Sequence, residues 1–372
     1  TGHSNVGLGV AALANNTTAI NNTAVGRDAL YANTTGTENV AVGASALDAN
    51  STGGYNIGVG SSALGSNTTA NYNVGVGHYA LGANTTGTNN VAVGFGSLDA
   101  NTTASNNTAV GHQTLTANVT GIQNTGIGGF SLYANTASYN TGVGYNSLGN
   151  TTSGANNTAV GASALVANTT GNQNVAVGSE ALDANTTGAN NTSIGDSTLS
   201  ANTTASNNTA VGRAALNANT TGTPNTAIGS LALASNTTAN YNVAVGAYGL
   251  YTNTTGVNNT ALGTYALQLN TTANYNTGIG YNALYANTTG AQNTAVGGIA
   301  LDANTTGVDN TAVGMAALTD NTTGSYNTAI GENSLADNTT ANYNTAVGMD
   351  ALRLNTTGTR NVAVGSVALD AN

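Results

Sequence analysis

Cysteine, tryptophan and lysine are absent from this chain of 372 residues, and proline occurs once. Without cysteine the chain has neither a disulfide framework nor a thiolate metal site. The basic side chains are few, against a net charge of -10: Arg27, Arg213, Arg353 and Arg360. Because binding to a phosphate backbone needs clustered lysine and arginine, the composition excludes nucleic acid as a partner.

Long apolar runs are also missing. No stretch approaches the roughly 20 residues that cross a bilayer, and no signal-peptide pattern opens the chain. The sequence therefore predicts no membrane-spanning segment. Both ends fall partway through the repeat described next, so we expect residues 1–372 to belong to a longer fibre.

Glycine, by contrast, is abundant, with 50 residues, and one glycine returns every seventeen residues from Gly9 to Gly365 with a single sixteen-residue step. No linker or shift in composition interrupts this period, which predicts one continuous array of about 22 repeats over residues 1–372. A period near 20 residues is typical of a stacked solenoid. We predict an all-β fold, a parallel β-solenoid or β-roll with one rung per repeat.

Residues 22–38 serve as the type repeat, and four of its positions hardly change along the chain. The predicted structural ladders are formed by these positions and their equivalents in the next repeat: Asn22, Gly26, Leu30, Asn33, Asn39, Gly43 and Leu47. Stacked asparagines can bond amide to amide, and stacked leucines can fill a core. We expect buried leucine and hydrogen-bonded asparagine files along the stack.

The β-branched residue Thr23 and the apolar Val25 flank the small Ala24, which predicts a short strand. Because the Val25 position is never polar, we expect Thr23 and Val25 to face inward and Ala24 to face outward. Residues 26–33 suit a second short strand or a single helical turn, and we favour the strand. Residues 33–36, Asn-Thr-Thr-Gly, are typical of a turn.

Catalytic, cofactor and metal sites are not predicted. The three histidines lie at variable positions, and no paired carboxylates or Ser/His/Asp arrangement recurs. Acidic residues that follow the leucine in some repeats are too scattered for a calcium site, and we expect a solvated edge: Asp48, Asp99, Asp183, Asp302 and Asp370.

Asn-x-Thr triplets make the asparagine of the turn a candidate N-glycosylation acceptor in nearly every repeat. Candidate acceptors are Asn16, Asn33, Asn67, Asn84, Asn101, Asn168, Asn185 and Asn355. Acceptors about 4.8 Å apart leave little room for neighbouring glycans. Turn geometry is the alternative explanation for these triplets, and we favour it.

The segment Asn-Val-Ala-Val-Gly-Ala-Ser-Ala at residues 39–46 resembles the head repeats of trimeric autotransporter adhesins and related repeats of phage tail-fibre proteins. The resemblance covers the whole array. It implies a left-handed parallel β-roll, a homotrimer, and a surface that binds host or matrix molecules. The adhesin repeat is shorter, and this chain adds Leu30 and the turn at residues 33–35.

These features favour a structural extracellular fibre or adhesin shaft, at a cell surface or on a virion. Its expected partners are further copies of itself, as a head-to-tail filament or homotrimer, and surface glycans or matrix molecules. Exposed tyrosines could stack on sugars or on a neighbouring fibre. The alternative is an ice-binding β-solenoid with threonine arrays, against which we set the inward orientation expected for Thr23.

Overall fold

Short parallel strands, one per repeat, make up the regular secondary structure. The computed structural model describes residues 2–370 and contains 22 strands and no helix within them. The chain divides into two compact units, one ending at Gly188 and the other beginning at Ala189. The predicted parallel β-solenoid with a seventeen-residue rung is confirmed.

The first unit contains strands β1 to β11. Their bounds are Val6–Leu8, Thr23–Val25, Val40–Val42, Ile57–Val59, Val74–Val76, Val91–Val93, Thr108–Val110, Thr125–Ile127, Thr141–Val143, Thr158–Val160 and Val175–Val177. Consecutive strands pair in parallel and in repeat register, as Val74 does with Val91. Equivalent residues therefore lie directly above one another, about 4.8 Å apart.

The second unit contains β12 to β22, which also pair in parallel and in repeat register. Their bounds are Thr192–Ile194, Thr209–Val211, Thr226–Ile228, Val243–Val245, Thr260–Leu262, Thr277–Ile279, Thr294–Val296, Thr311–Val313, Thr328–Ile330, Thr345–Val347 and Val362–Val364. Thr294 pairs with Thr311 and Val296 with Val313.

The orientation predicted for the strand was wrong. Ala24 is fully buried, whereas Thr23 and Val25 are half-buried and point outward. The position of Ala24 must stay small because it packs on the leucine of the preceding turn. A Cβ added to Gly58 would lie 3.3 Å from Leu47 Cδ1. The β-branched residues Thr23 and Val25 thus reflect a pleated outer surface, not the core.

The segment after Gly26 is neither the strand that we favoured nor a helical turn. Three tight turns follow one another: Ala29 N–H donates to the Gly26 carbonyl at 3.4 Å, Tyr31 to Asp28 at 3.2 Å, and Asn33 to Leu30 at 3.2 Å. Asp28 and Leu30 adopt the left-handed conformation, with φ of 59° and 50°. The N–H groups between these turns donate across to neighbouring rungs.

The core of each rung is small and is dominated by one leucine. Ala24, Ala29 and Leu30 are all fully buried. A left-handed conformation costs an L-residue roughly 1–2 kcal/mol, and burying a leucine contributes about 1.5–3 kcal/mol. The buried side chain therefore offsets the backbone cost at Leu30.

The positive φ at the leucine leads to an unusual prediction for Leu81, which is fully buried with φ of 52°. Leu81→Ala should lower the free energy of unfolding by about 2–5 kcal/mol through the cavity that it leaves. Leu81→Gly should be about as stable as Leu81→Ala, since glycine relieves the backbone cost. Guanidinium unfolding of both variants tests this, and a glycine variant about 2 kcal/mol less stable than the alanine variant would contradict the left-handed assignment.

The short repeat loses its residue from the turn, between β8 and β9. Asn135 Nδ2 donates to the carbonyl of Ala137, two residues on, at 2.8 Å, where Asn33 Nδ2 reaches three residues on to Gly36 at 3.0 Å. In the following repeat Thr151 occupies the asparagine position, and its buried hydroxyl has no hydrogen-bond partner. The turn thus absorbs the deletion while the strands keep their register.

Candidate functional site

Two files of buried asparagines hold the rungs together. In the first file, Asn22 Oδ1 accepts hydrogen bonds from the backbone N–H of Asn39 at 2.9 Å and from its Nδ2 at 3.2 Å. In the second, Asn50 Nδ2 donates to Asn33 Oδ1 at 3.0 Å. Asn22, Asn33 and Asn39 are at most 1% exposed. Unpaired buried amides would be costly, so these bonds fix the register of each turn on the next.

Both files also close the turn across the core. Asn22 Nδ2 and Asn33 Nδ2 each donate to the carbonyl of Gly36, at 2.9 and 3.0 Å. The strand end and the turn are therefore tied to one acceptor inside this rung, as they are in most others. A third, half-buried file runs beside them, in which Thr34 Oγ1 donates to the Ser51 carbonyl at 3.0 Å.

The fixed glycine leaves no room for a side chain. Gly26 and Gly43 have φ of 136° and 137°. A Cβ on Gly26 would lie 2.7 Å from the carbonyl carbon of Gly43. Leu47, the equivalent of Leu30, is fully buried. The positions expected to form ladders thus lie inside the rungs, and the variable positions lie outside.

Seven of the eight candidate glycosylation acceptors are buried. Asn33, Asn67, Asn84, Asn101, Asn168 and Asn185 are 0% exposed and Asn355 is 1% exposed, whereas Asn16 is half-buried. The two hydrogens of Asn67 Nδ2 bond to Asn50 Oδ1 at 2.9 Å and to the Ala70 carbonyl at 3.1 Å. A glycan on such a nitrogen is incompatible with this fold.

A second set of Asn-x-Thr triplets was missed by the sequence reasoning. In these triplets the asparagine directly precedes the buried ladder asparagine and is exposed: Asn21, Asn106, Asn156, Asn190, Asn207 and Asn258. Scanning the columns for triplets rather than for constant residues would have found them. They are candidate acceptors that the folded chain leaves exposed.

Four aspartates lie half-buried beside the leucine file: Asp48, Asp99, Asp183 and Asp302. Burial raises the pKa of each of these carboxyl groups above the ordinary value. At Asp302 a hydrogen bond donated by Thr319 Oγ1 at 2.8 Å partly opposes this rise in pKa. The expected solvated edge is therefore only partly solvated.

These raised pKa values have a defined effect on stability. The folded chain holds these protons more tightly than the unfolded chain, so the contribution of each group is greatest below the ordinary pKa of 3.8 and is lost as pH rises through the folded pKa. Asp48→Asn should therefore stabilise the protein at pH 7 and have little effect at pH 3. Thermal unfolding at both pH values tests this, and an equal gain at pH 3 would contradict it.

Aromatic side chains form a continuous surface file in the first unit. His78 stacks on Phe95 with ring centroids 5.6 Å apart, and Phe95 stacks on His112 at 5.4 Å. His112 meets Phe130 edge to face at 5.1 Å, and Phe130 meets Tyr145 at 5.9 Å. These residues lie one or two positions after the fixed glycine, so the file occupies one side of the solenoid.

The second unit carries a tyrosine cluster on the same columns. Tyr248 stacks on Tyr265 at 5.5 Å, and Tyr265 meets Tyr281 edge to face at 6.1 Å. A cleft of about 300 Å³ opens beside them and is lined by Tyr265, Gln268, Tyr281, Asn282 and Tyr285. We call it the tyrosine cleft.

The outward side chains of the strands form a different surface, which we call the outer strand face. It consists of the first and third residue of every strand, as in Thr294 and Val296. These positions hold only threonine, valine, isoleucine and leucine throughout. Representative members are 37–41% exposed: Val42, Ile57, Ile127, Ile194 and Ile330. Each unit thus presents two regular files of methyl and hydroxyl groups without a charge.

Within residues 2–370, no group of three or more histidine and acidic side chains is placed to hold a metal ion. The same part of the chain contains no helix that could span a membrane. No protein-family model matches the chain, and no curated protein matches it.

Proposed function

We propose that this chain is a structural segment of an extracellular fibre or adhesin shaft, which presents repeated surfaces rather than performing catalysis. The proposal rests on the way each rung separates constant, buried residues from variable, exposed ones. The constant residues Asn22, Gly26, Leu30 and Asn33 are devoted to stacking, and the variable residues lie outside. Such a scaffold tolerates surface change while keeping its fold.

Self-association is part of this proposal. The outer strand face offers uncharged apolar surface on each unit, and surfaces of this kind mark interaction sites. Parallel strands pair through their edges, so head-to-tail stacking of rungs from successive copies is a second mode of association. A lateral homotrimer would use the outer strand face, and a filament would use the ends.

Electron microscopy of the purified chain, with light scattering for its mass, tests the proposal. We expect filaments or trimers, and trimers should dissociate in a Thr294→Arg/Val296→Arg variant of the outer strand face. Thr289→Arg, on an exposed turn position, is the matched control. A monodisperse monomer at all concentrations would contradict self-association.

Ice binding is a second candidate, favoured by the corrected orientation of the strand. Thr23 and its equivalents face outward, so the objection that they lie inside no longer applies. Threonine and valine methyl groups then recur at the regular strand spacing of about 4.8 Å, without charged neighbours on that face. Regular hydroxyl and methyl arrays of this kind suit an ordered water surface.

Thermal hysteresis of the native chain separates the two candidates. An ice-binding protein should separate the freezing and melting points, and Thr294→Arg/Val296→Arg should reduce that gap while Thr289→Arg leaves it unchanged. Equal freezing and melting points would eliminate this candidate without affecting the fibre proposal.

A further inference from the structure

The tyrosine cleft is a concave site on the surface of the second unit. It spans two consecutive turns, with Tyr265 and Gln268 from one and Tyr281, Asn282 and Tyr285 from the next. Its volume of about 300 Å³ falls at the lower end of small-ligand sites. The site therefore has room for a small ligand or for part of a longer one.

The backbone under the cleft is held by the same hydrogen bonds as the rest of the rungs. Asn282 N–H donates to the Thr264 carbonyl at 3.2 Å, and Leu269 N–H donates to the Tyr285 carbonyl at 3.0 Å. Tyr265 is further braced by the ring of Tyr248 in the turn before it. The aromatic rings are thus placed before any ligand arrives, which lowers the entropic cost of binding.

The polar groups of the cleft, besides the tyrosine hydroxyls, are neutral amides. Asn282 Oδ1 is buried and has no hydrogen-bond partner, although Asn282 as a whole is only half-buried. Gln268 brings a second amide from the neighbouring turn. That oxygen is closed off from the cleft, so ligand hydroxyls would bond to the Gln268 amide and to the accessible part of the Asn282 side chain.

Charge is absent from this part of the chain. Residues 214–301 contain no acidic, basic or histidine side chain, and Asp302 is the first charged residue after them. An ionic ligand would find no counter-charge among the lining residues. A neutral ligand with apolar faces and hydroxyl edges matches both the tyrosine rings and the amides.

Space beside the cleft remains open toward the next turn. Gly298 follows Tyr281 by one repeat, and a Cβ added there would meet no atom within 4 Å. Tyr281 itself is 57% exposed. With Tyr248 and Tyr251 on the other side, aromatic surface extends over three turns, or about 10 Å between the first and third. That length suits a few linked sugar rings rather than a single one.

We propose that the tyrosine cleft binds a neutral oligosaccharide, with sugar faces stacked on Tyr265 and Tyr281 and sugar hydroxyls bonded to Gln268 and Asn282. The inference deepens the proposed surface-presenting function. It names the chemical class that this part of the surface would hold.

Saturation-transfer NMR on the full chain, with cellohexaose, chitohexaose, laminarihexaose and maltohexaose as probes, tests the proposal. At least one hexasaccharide should bind with a dissociation constant of about 1 mM or tighter, which corresponds to about -4 kcal/mol. Tyr265→Ala and Tyr281→Ala should each weaken binding at least tenfold. Asn282→Gly, at a residue with φ of 55°, should weaken it without backbone strain.

Tyr275→Ala is the matched control. Tyr275 has φ of 59°, close to the 61° of Tyr265, and it is 62% exposed but lies outside the cleft. Its removal should leave saccharide binding unchanged. Absence of binding to all four probes at 10 mM, roughly ten times the expected dissociation constant, or equal loss in the Tyr275 variant, would overturn the proposal. Saccharide binding and self-association are measured separately, so a failure to bind leaves the microscopy test of the fibre untouched.

Discussion

Gly297→Ala should be among the most destabilising substitutions that this chain can receive. Gly297 has φ of 141°, and a Cβ there would lie 2.6 Å from the carbonyl carbon of Gly314 in the next turn. Backbone atoms cannot move aside as a flexible side chain can. We expect a loss of more than about 4 kcal/mol in the free energy of unfolding, in the exceptional range for one substitution.

The adjacent residue supplies the control for this prediction. A Cβ on Gly298 would meet no atom within 4 Å. Gly298→Ala should therefore be neutral or should stabilise the chain by up to about 1 kcal/mol. Guanidinium unfolding measures both variants, and hydrogen exchange of the amides in β18 and β19 shows whether the damage is local. Similar stability of the two variants would refute the contact between successive glycines.

Asn293→Ala should also be strongly destabilising. Asn293 Nδ2 donates to the Gly307 carbonyl at 2.8 Å, and its Oδ1 accepts from the Asn310 N–H at 3.0 Å. The residue is fully buried, so alanine leaves the Asn310 N–H unpaired and away from water, while the Gly307 carbonyl keeps its second donor, Asn304 Nδ2, at 3.1 Å. At about 1–3 kcal/mol for the unpaired N–H and about 0.5–1.5 kcal/mol for the lost bond to Gly307, the expected loss is about 1.5–4.5 kcal/mol.

Gln292→Gly removes a neighbouring amide that does not belong to the ladder. Gln292 is exposed with φ of 60°, a conformation that suits glycine. Its removal should change the stability by no more than about 0.5 kcal/mol. Thermal unfolding of both variants shows whether stability depends on the ladder asparagine itself or on any amide side chain in this part of the rung. A mild Asn293→Ala variant would mean that water or a shifted turn replaces these bonds.

The solenoid was predictable because the same residues recur at a fixed period along the chain. Gly26, Leu30 and the two asparagines recur at fixed spacing, and only a stack of equivalent turns explains that pattern. The side of the strand that faces inward was not predictable from polarity, because neither side carries charge. The restriction of the Ala24 position to small residues was the better signal, since it reports the tight contact with leucine.

Two other features could be recognised only from the backbone conformation. Leucine has no preference for the left-handed conformation, so nothing in the sequence predicts the positive φ at Leu30. The tyrosine cleft joins residues from different columns of adjacent repeats, as Tyr265 and Tyr281 do. Their proximity depends on how the three tight turns direct successive side chains, which the spacing along the chain does not reveal.

The near identity of the buried residues has a consequence for how such a chain folds and varies. Strand β5 could pair with most other strands of its unit as well as it pairs with β6, because the buried ladder residues are nearly the same in every repeat. Pairing offset by a whole repeat, with seventeen residues looped out, would satisfy nearly the same inner contacts. The same interchangeability lets genetic duplication or loss of a repeat alter the length without a new core having to evolve.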